Sequence, residues 1–150
     1  MWQIRQLAAG EVDRVGGVLG LARLGQGDGF YLVAWADDDP LGHAYLALTD
    51  PPEMQDVAVR PEHRRRGVAT ALTAATEDEA GARGFDRLTL TVSLDNDAAQ
   101  ALYRGLGYRD AGVPPRRVQG TIQIRTGPIE VDTTLLTWEK SLEPRASGPA

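Results

Sequence analysis

The chain reads as a mixed α/β domain: a mostly antiparallel, twisted sheet of about seven strands with helices on both faces. Three observations predict it. Runs of β-branched and aromatic residues with period-two spacing recur along the chain, helical segments interrupt them, and the central helix is fed by a strand through a tight, glycine-containing loop. With 150 residues, the chain is long enough for one substantial core. A single domain over residues 1–142 and a frayed tail over 143–150 are expected.

The elements follow in order. Trp2 to Leu7 alternates as a first strand, and Glu11 to Leu24 carries Val12, Val15, Val18, Leu19 and Leu21 at mixed helical spacing. Gly16, Gly17 and Gly20 interrupt that spacing, so a loose helix is expected. Phe30 to Ala36 has the unbroken apolar run of a buried strand. Asp37-Asp38-Asp39-Pro40 is turn chemistry, and Leu41 to Leu48 returns to make a hairpin. After Asp50-Pro51-Pro52, Glu53 to Arg60 is the next strand. The helix beyond Gly67 runs to about Ala82, with Val68, Leu72 and Ala75 on one face, Glu77, Asp78 and Glu79 in solvent, and Gly84 as its C-terminal cap. Leu88, Leu90 and Val92 mark a strand over Arg87 to Val92. Asp95-Asn96-Asp97 caps a helix containing Ala98, Ala101, Leu102 and Tyr103, which stops near Gly105 or Gly107. Tyr108 to Val113 is a late strand. Thr121 to Arg125, a Thr126-Gly127-Pro128 turn and Ile129 to Val131 form an extra hairpin before the last strand, Thr133 to Lys140. That hairpin is where a homodimer contact would form.

Composition excludes several classes. Cysteine is absent and histidine occurs only at His43 and His63, so neither a disulfide framework nor a metal site is expected. The longest apolar run, Phe30 to Ala36, is far shorter than the roughly 18 residues that span a bilayer, and the start lacks a basic-then-apolar pattern. A cytoplasmic protein without a membrane partner is expected. The net charge of −5 is uneven: residues 1–59 carry −6 and residues 60–150 carry +1. An acidic first half disfavours nucleic acid and favours a cationic partner.

The stretch from Val57 to Leu72, Val-Ala-Val-Arg-Pro-Glu-His-Arg-Arg-Arg-Gly-Val-Ala-Thr-Ala-Leu, organises the rest. A strand ends at Pro61 and a helix opens past Gly67. The first N–H groups of a helix have no internal partner and sit at the positive end of its dipole, so this turn is suited to phosphate. Small residues at Gly67 and Ala69 let phosphate oxygens approach those donors. Taken alone, Arg64, Arg65 and Arg66 would read as a solvated charge run.

Arg64, Gly67 and Ala69, following Val-x-Pro-Glu, resemble the signature of the GNAT family of N-acetyltransferases: Arg or Gln, two residues, Gly, one residue, then Gly or Ala. Asn96 to Tyr103, followed by Gly105-Leu106-Gly107-Tyr108, is similar to the family's second motif, and the resemblance covers about Gly29 to Tyr108. It implies the GNAT fold, acetyl-CoA as co-substrate, and a gap where the strands ending at Val59 and Val92 splay apart. It further implies that main-chain groups of Val57, Ala58 and Val59 meet the pantetheine arm and the acetyl carbonyl. Arg64, Arg65, Arg66, Gly67, Val68, Ala69 and Thr70 would surround the diphosphate. Asn96 would bond the pantetheine or nearby backbone, and the Tyr103 hydroxyl would act as general acid beside the sulfur. The two side chains are seven residues apart, two helical turns, so they share a face.

Some relatives carry a glutamate in the second splayed strand, and the matching residue here is Thr91. Glu53 is then the candidate base, four residues before Val57 and expected on the same strand face; Glu130 and ordered water are the alternatives. With no cysteine, a thioester on the protein is impossible and direct attack within a ternary complex is expected. The resemblance therefore implies an acetyl-CoA-dependent N-acetyltransferase acting on a primary amine of a small molecule or peptide. A CoA-binding module without chemistry is the alternative.

Overall fold

Among the described residues, eight strands join in one sheet, ordered β1-β2-β3-β4-β5-β8-β6, with β7 paired to the first half of β8. They are β1 (Gln3–Gln6), β2 (Gly29–Ala36), β3 (Asp39–Ala47), β4 (Glu53–Val59), β5 (Arg87–Ser93), β6 (Arg109–Asp110), β7 (Arg116–Ile124) and β8 (Gly127–Ser141). Two helices are described, α1 (Val68–Ala82) and α2 (Asp97–Gly105). The computed structural model describes residues 3–11, 15, 29–124 and 127–142. Every strand pair is antiparallel except β4 with β5.

Both faces of the sheet are covered, which explains why β2 is apolar at every position rather than alternating. On one face Leu32, Ala34, Leu46, Met54, Leu88, Leu90, Val92 and Trp138 pack with Val68, Leu72 and Ala80 of α1 and Tyr103 of α2. On the other, Tyr31, Val33, Trp35, Tyr45 and Ala47 surround Val15. The expected helix over Glu11 to Leu24 lies mostly outside the described residues; Glu11 closes a 3-10 turn with Ala9 and Gly10, and Val15 is helical and fully buried. Residues 143–150 also lie outside them.

Both helices end in the same way, and the ends matter for the site. In α1 the Gly84 N–H donates to the Gly81 carbonyl and the Phe85 N–H to the Ala80 carbonyl, with Gly84 at φ +90°. In α2 the Gly107 N–H donates to Arg104 and the Tyr108 N–H to Tyr103, with Gly107 at φ +98°. This paired bonding around a left-handed glycine is the Schellman end. Thr73 and Thr76 lie on the buried side of α1, where each hydroxyl donates to the carbonyl four residues back, at 2.8 Å.

The C-terminal third differs from expectation. The late strand shrinks to Arg109–Asp110, and the extra hairpin and the last strand are one element: β8 pairs β7 through Gly127 to Leu135 and β5 through Leu135 to Ser141. Gly127 and Pro128 belong to β8 rather than to a turn. Glu77, expected in solvent, has a side chain only 16% exposed and receives Lys140 Nζ at 3.0 Å and the Tyr108 hydroxyl at 2.8 Å.

Candidate active site

The site begins where the sheet comes apart. β4 and β5 are in register only at Glu53↔Thr89 and Met54↔Leu90. Beyond these pairs the strands diverge around a cavity of about 640 Å³, lined by Glu53 to Val57 of β4, Leu90 to Ser93 of β5, and Asn96, Ala99 and Tyr103. Met54, Val57, Leu90, Val92 and Tyr103 belong to the helix-side core. Glu53 and Gln55 instead pair with Ala47 and Tyr45, which face the opposite core. Side chains alternate along strands, so the cavity is lined by residues of both faces of the sheet.

A bulge in β4 shapes its wall. His43 pairs with Ala58 and Tyr45 with Gln55, so Asp56 and Val57 together oppose Ala44. Asp56 sits at φ +47°, in the left-handed region. The extra residue overturns one expectation: Glu53 and Val57 do not share a face. Val57 packs toward the helices, while Glu53 lies on the far face with Gln55, whose amide nitrogen donates to Glu53 Oε1 at 2.5 Å.

Tyr103 is 8% exposed and lines the cavity from α2, and burial holds its phenol above the ordinary tyrosine value. The Schellman end fixes its place. Gly107 turns the chain so that the Tyr108 ring meets the Tyr103 ring edge-on at 5.9 Å, and Glu77 and Lys140 hold Tyr108 from below. Asn96 lines the same cavity; its Oδ1 caps α2 by accepting the Ala99 N–H at 3.0 Å.

A second cavity, of about 320 Å³, lies at the start of α1, lined by Val59, His63, Arg64, Arg65, Gly67, Val68, Ala69, Thr70 and Leu102. Arg65 at φ +64° and Gly67 at φ +84° alternate with ordinary backbone, curling the loop into a concave run of amides. The first helical bond is from Ala71 N–H to the Gly67 carbonyl, so the amides of Val68, Ala69 and Thr70 precede it. Arg64 Nε donates to the Val59 carbonyl at 3.1 Å and ties the loop to the end of β4. Arg66 is exposed and outside the lining. Glu130 lies out on the β7–β8 hairpin, where it accepts from the Thr121 hydroxyl, and lines neither cavity.

Residues 8–108 match the model of the Acetyltransferase (GNAT) family. The chain belongs to that family. A mycothiol acetyltransferase of Clavibacter michiganensis subsp. michiganensis (strain NCPPB 382) is 44% identical over 61 residues, which cover 41% of this chain and 20% of that protein. The [ribosomal protein bS18]-alanine N-acetyltransferase of Escherichia coli (strain K12) is 38% identical over 66 residues, covering 44% of this chain and 45% of that protein. The chain thus spans a fifth to under half of the length of these curated relatives. Among solved structures, the ribosomal-protein-S18-alanine N-acetyltransferase from Escherichia coli superimposes with a TM-score of 0.73 over 100% of this chain and 99% of that one, at 18% identity. That likeness shows the GNAT fold.

In this GNAT chain, sequence reasoning missed Asp56, Ser93 and Arg116 in the cavity wall, together with Tyr31, whose hydroxyl donates to Asp56 Oδ2 at 2.6 Å. One signal was legible: Asp56 interrupts a β-type run, and aspartate is disfavoured in strands but tolerant of the left-handed region.

Proposed function

We propose that this GNAT chain is an acetyl-CoA-dependent N-acetyltransferase that moves acetyl directly to a primary amine of a small molecule or a peptide. The observation that carries the proposal is the cavity between β4 and β5, lined by residues of both faces of the sheet, so that donor and acceptor would meet from opposite sides. Bound acetyl-CoA supplies a thioester carbonyl for the amine to attack and a thiolate leaving group.

The residues fit that donor. The amides of Val68, Ala69 and Thr70 and the curl through Arg65 and Gly67 form an anion-binding concavity for a diphosphate. Among the described residues, the β4 edge past Met54 has no strand partner on the β5 side, where main-chain groups of Val57, Ala58 and Val59, the Val59 carbonyl being also bonded by Arg64 Nε, would hold the pantetheine arm and the carbonyl oxygen. Tyr103, kept protonated by burial, gives its proton to the departing thiolate. Glu53, on the acceptor side, takes the proton of the amine, directly or through a water. With no cysteine in the chain, a cysteinyl thioester intermediate is excluded, and the amine attacks bound acetyl-CoA directly within a ternary complex.

The test is thiol release from acetyl-CoA across polyamines, aminoglycosides, amino acids and peptides, beside calorimetric titration with acetyl-CoA. Turnover with at least one amine, falling about 100-fold in Glu53→Gln, is expected. Tight binding with no release across the panel would leave a CoA-binding module, the reading that Thr91 in place of a glutamate favours.

A further inference from the structure

The bulge that shapes the cavity has an unusual support. Asp56 holds φ +47° without being glycine, and its carboxylate reaches across to the far face of the sheet. There the Tyr31 hydroxyl donates to Asp56 Oδ2 at 2.6 Å, and His43 Nδ1 stands 3.8 Å from the same oxygen. Tyr31 is itself fixed, edge-on to His43 at 5.5 Å and to Tyr45 at 5.0 Å between ring centres, and is 3% exposed. The Asp56 side chain is 20% exposed. A left-handed residue tied by its side chain to a buried ring that is itself packed between two others is a backbone conformation that its surroundings determine.

What that conformation decides is which main-chain groups face the gap. Successive amides along a strand point to opposite edges, and one extra residue reverses the pointing of everything after it. Past Met54 no residue of β4 is in register with β5 among the described residues, so the position of the bulge selects the donors presented there.

We infer that Tyr31 and Asp56 are positioning residues: the Tyr31–Asp56 hydrogen bond clamps the β4 bulge and so aims the Val57 main chain at the thioester carbonyl. The inference rests on the donor site proposed above and adds to it a clamp built from the opposite face. It distinguishes two roles for the Asp56 carboxylate, since a clamp is replaceable by any residue that adopts the left-handed conformation unaided, whereas a charge acting on the acceptor is not. Glycine at the first position of such a bulge needs no side-chain anchor, and asparagine both tolerates the conformation and accepts the tyrosine hydrogen bond.

The experiment is isotope-edited infrared spectroscopy of acetyl-CoA labelled with carbon-13 at the carbonyl, bound to the parent and to four variants, with the dissociation constant measured by calorimetry. In the parent the carbonyl band lies below that of free acetyl-CoA, as hydrogen bonding weakens the C=O bond. Asp56→Gly and Asp56→Asn keep that shift. Asp56→Ala loses most of it and Tyr31→Phe part of it, while acetyl-CoA affinity stays within about threefold in all four, because the diphosphate grip lies at the other end of the ligand. Equal loss of the shift in Gly, Asn and Ala variants, or retention in both Ala and Phe variants, overturns the clamp. Absence of acetyl-CoA binding to the parent overturns the donor site itself, and the clamp with it.

Discussion

Among single residues, two buried rings divide the chemistry from the stability. Tyr103 is the group proposed to protonate the leaving thiolate, so Tyr103→Phe should lower kcat about 100-fold while the KM for acetyl-CoA changes little. Because burial lifts its pKa above the ordinary value of 10, the rate should show no fall assignable to this phenol up to that pH; steady-state kinetics on both proteins checks both statements. His43 acts on the fold instead. It is 2% exposed, and burial lowers its pKa below the ordinary 6.5, against a smaller opposing pull from Asp56. Below pH 6.5 the unfolded chain therefore binds more protons at this position than the folded chain does, and stability falls as the solution is acidified through that value. His43→Gln removes this contribution: the drop in Tm between about pH 7.5 and about pH 5.5 should shrink relative to the parent. An undiminished drop would assign the acid sensitivity to groups other than His43.

One level up, among the helices and strands, the end of α2 offers an internal contrast. Gly105 has ordinary helical backbone, and a methyl group added to it would meet nothing within 4 Å beyond its chain neighbours and the backbone of its own helix, so Gly105→Ala should stabilise by about 0.5–1 kcal/mol. Gly107, two residues on, holds φ +98° and carries the Schellman end that sets Tyr108 against Tyr103. Gly107→Ala should destabilise by about 1–2 kcal/mol and lower kcat as well, since the brace behind the proposed acid loosens. Thermal melts with parallel rate measurements separate the two. These local features were legible in the sequence because they follow from residue type: Gly84 as the end of α1, Gly105 or Gly107 as the end of α2, a cap within Asp95-Asn96-Asp97, and Gly67 at the turn into α1. What escaped depended on partners distant in the chain. The bulge at Asp56 requires β3 to supply one residue where β4 supplies two, and the burial of Glu77 requires Lys140 and Tyr108 to arrive from elsewhere. A strand face counted from Glu53 to Val57 is therefore wrong by the one residue that only the pairing reveals.

Across the domain, the sheet is two halves joined by a narrow seam. β1 to β4 form one half and β5, β8, β6 and β7 the other, with two residue pairs between β4 and β5 against seven between β5 and β8. The Pro52 carbonyl strengthens the seam by accepting from the Thr89 amide at 3.0 Å and hydroxyl at 2.9 Å. The core beneath it brings Leu46 and Met54 of one half together with Leu88 and Leu90 of the other around Leu72 of α1. Past Met54 and Leu90 no residue pair among the described residues joins the two strands, and that open stretch is where the proposed donor would lie. A ligand bound there would lie along the stretch of β4 that β5 does not pair and fill the space between the halves, so acetyl-CoA should act as a missing strand. At a hundredfold excess over its Kd it should stabilise the fold by about 2.7 kcal/mol, by preferential binding to the folded state. The gain should be localised: hydrogen exchange at Gln55 to Val59 and at Thr91 to Ser93 should slow more than in β1 or in the β7–β8 hairpin. A rise in Tm with protection confined to the start of α1 would mean that only the diphosphate end is held, and that the seam stays open when the ligand is bound.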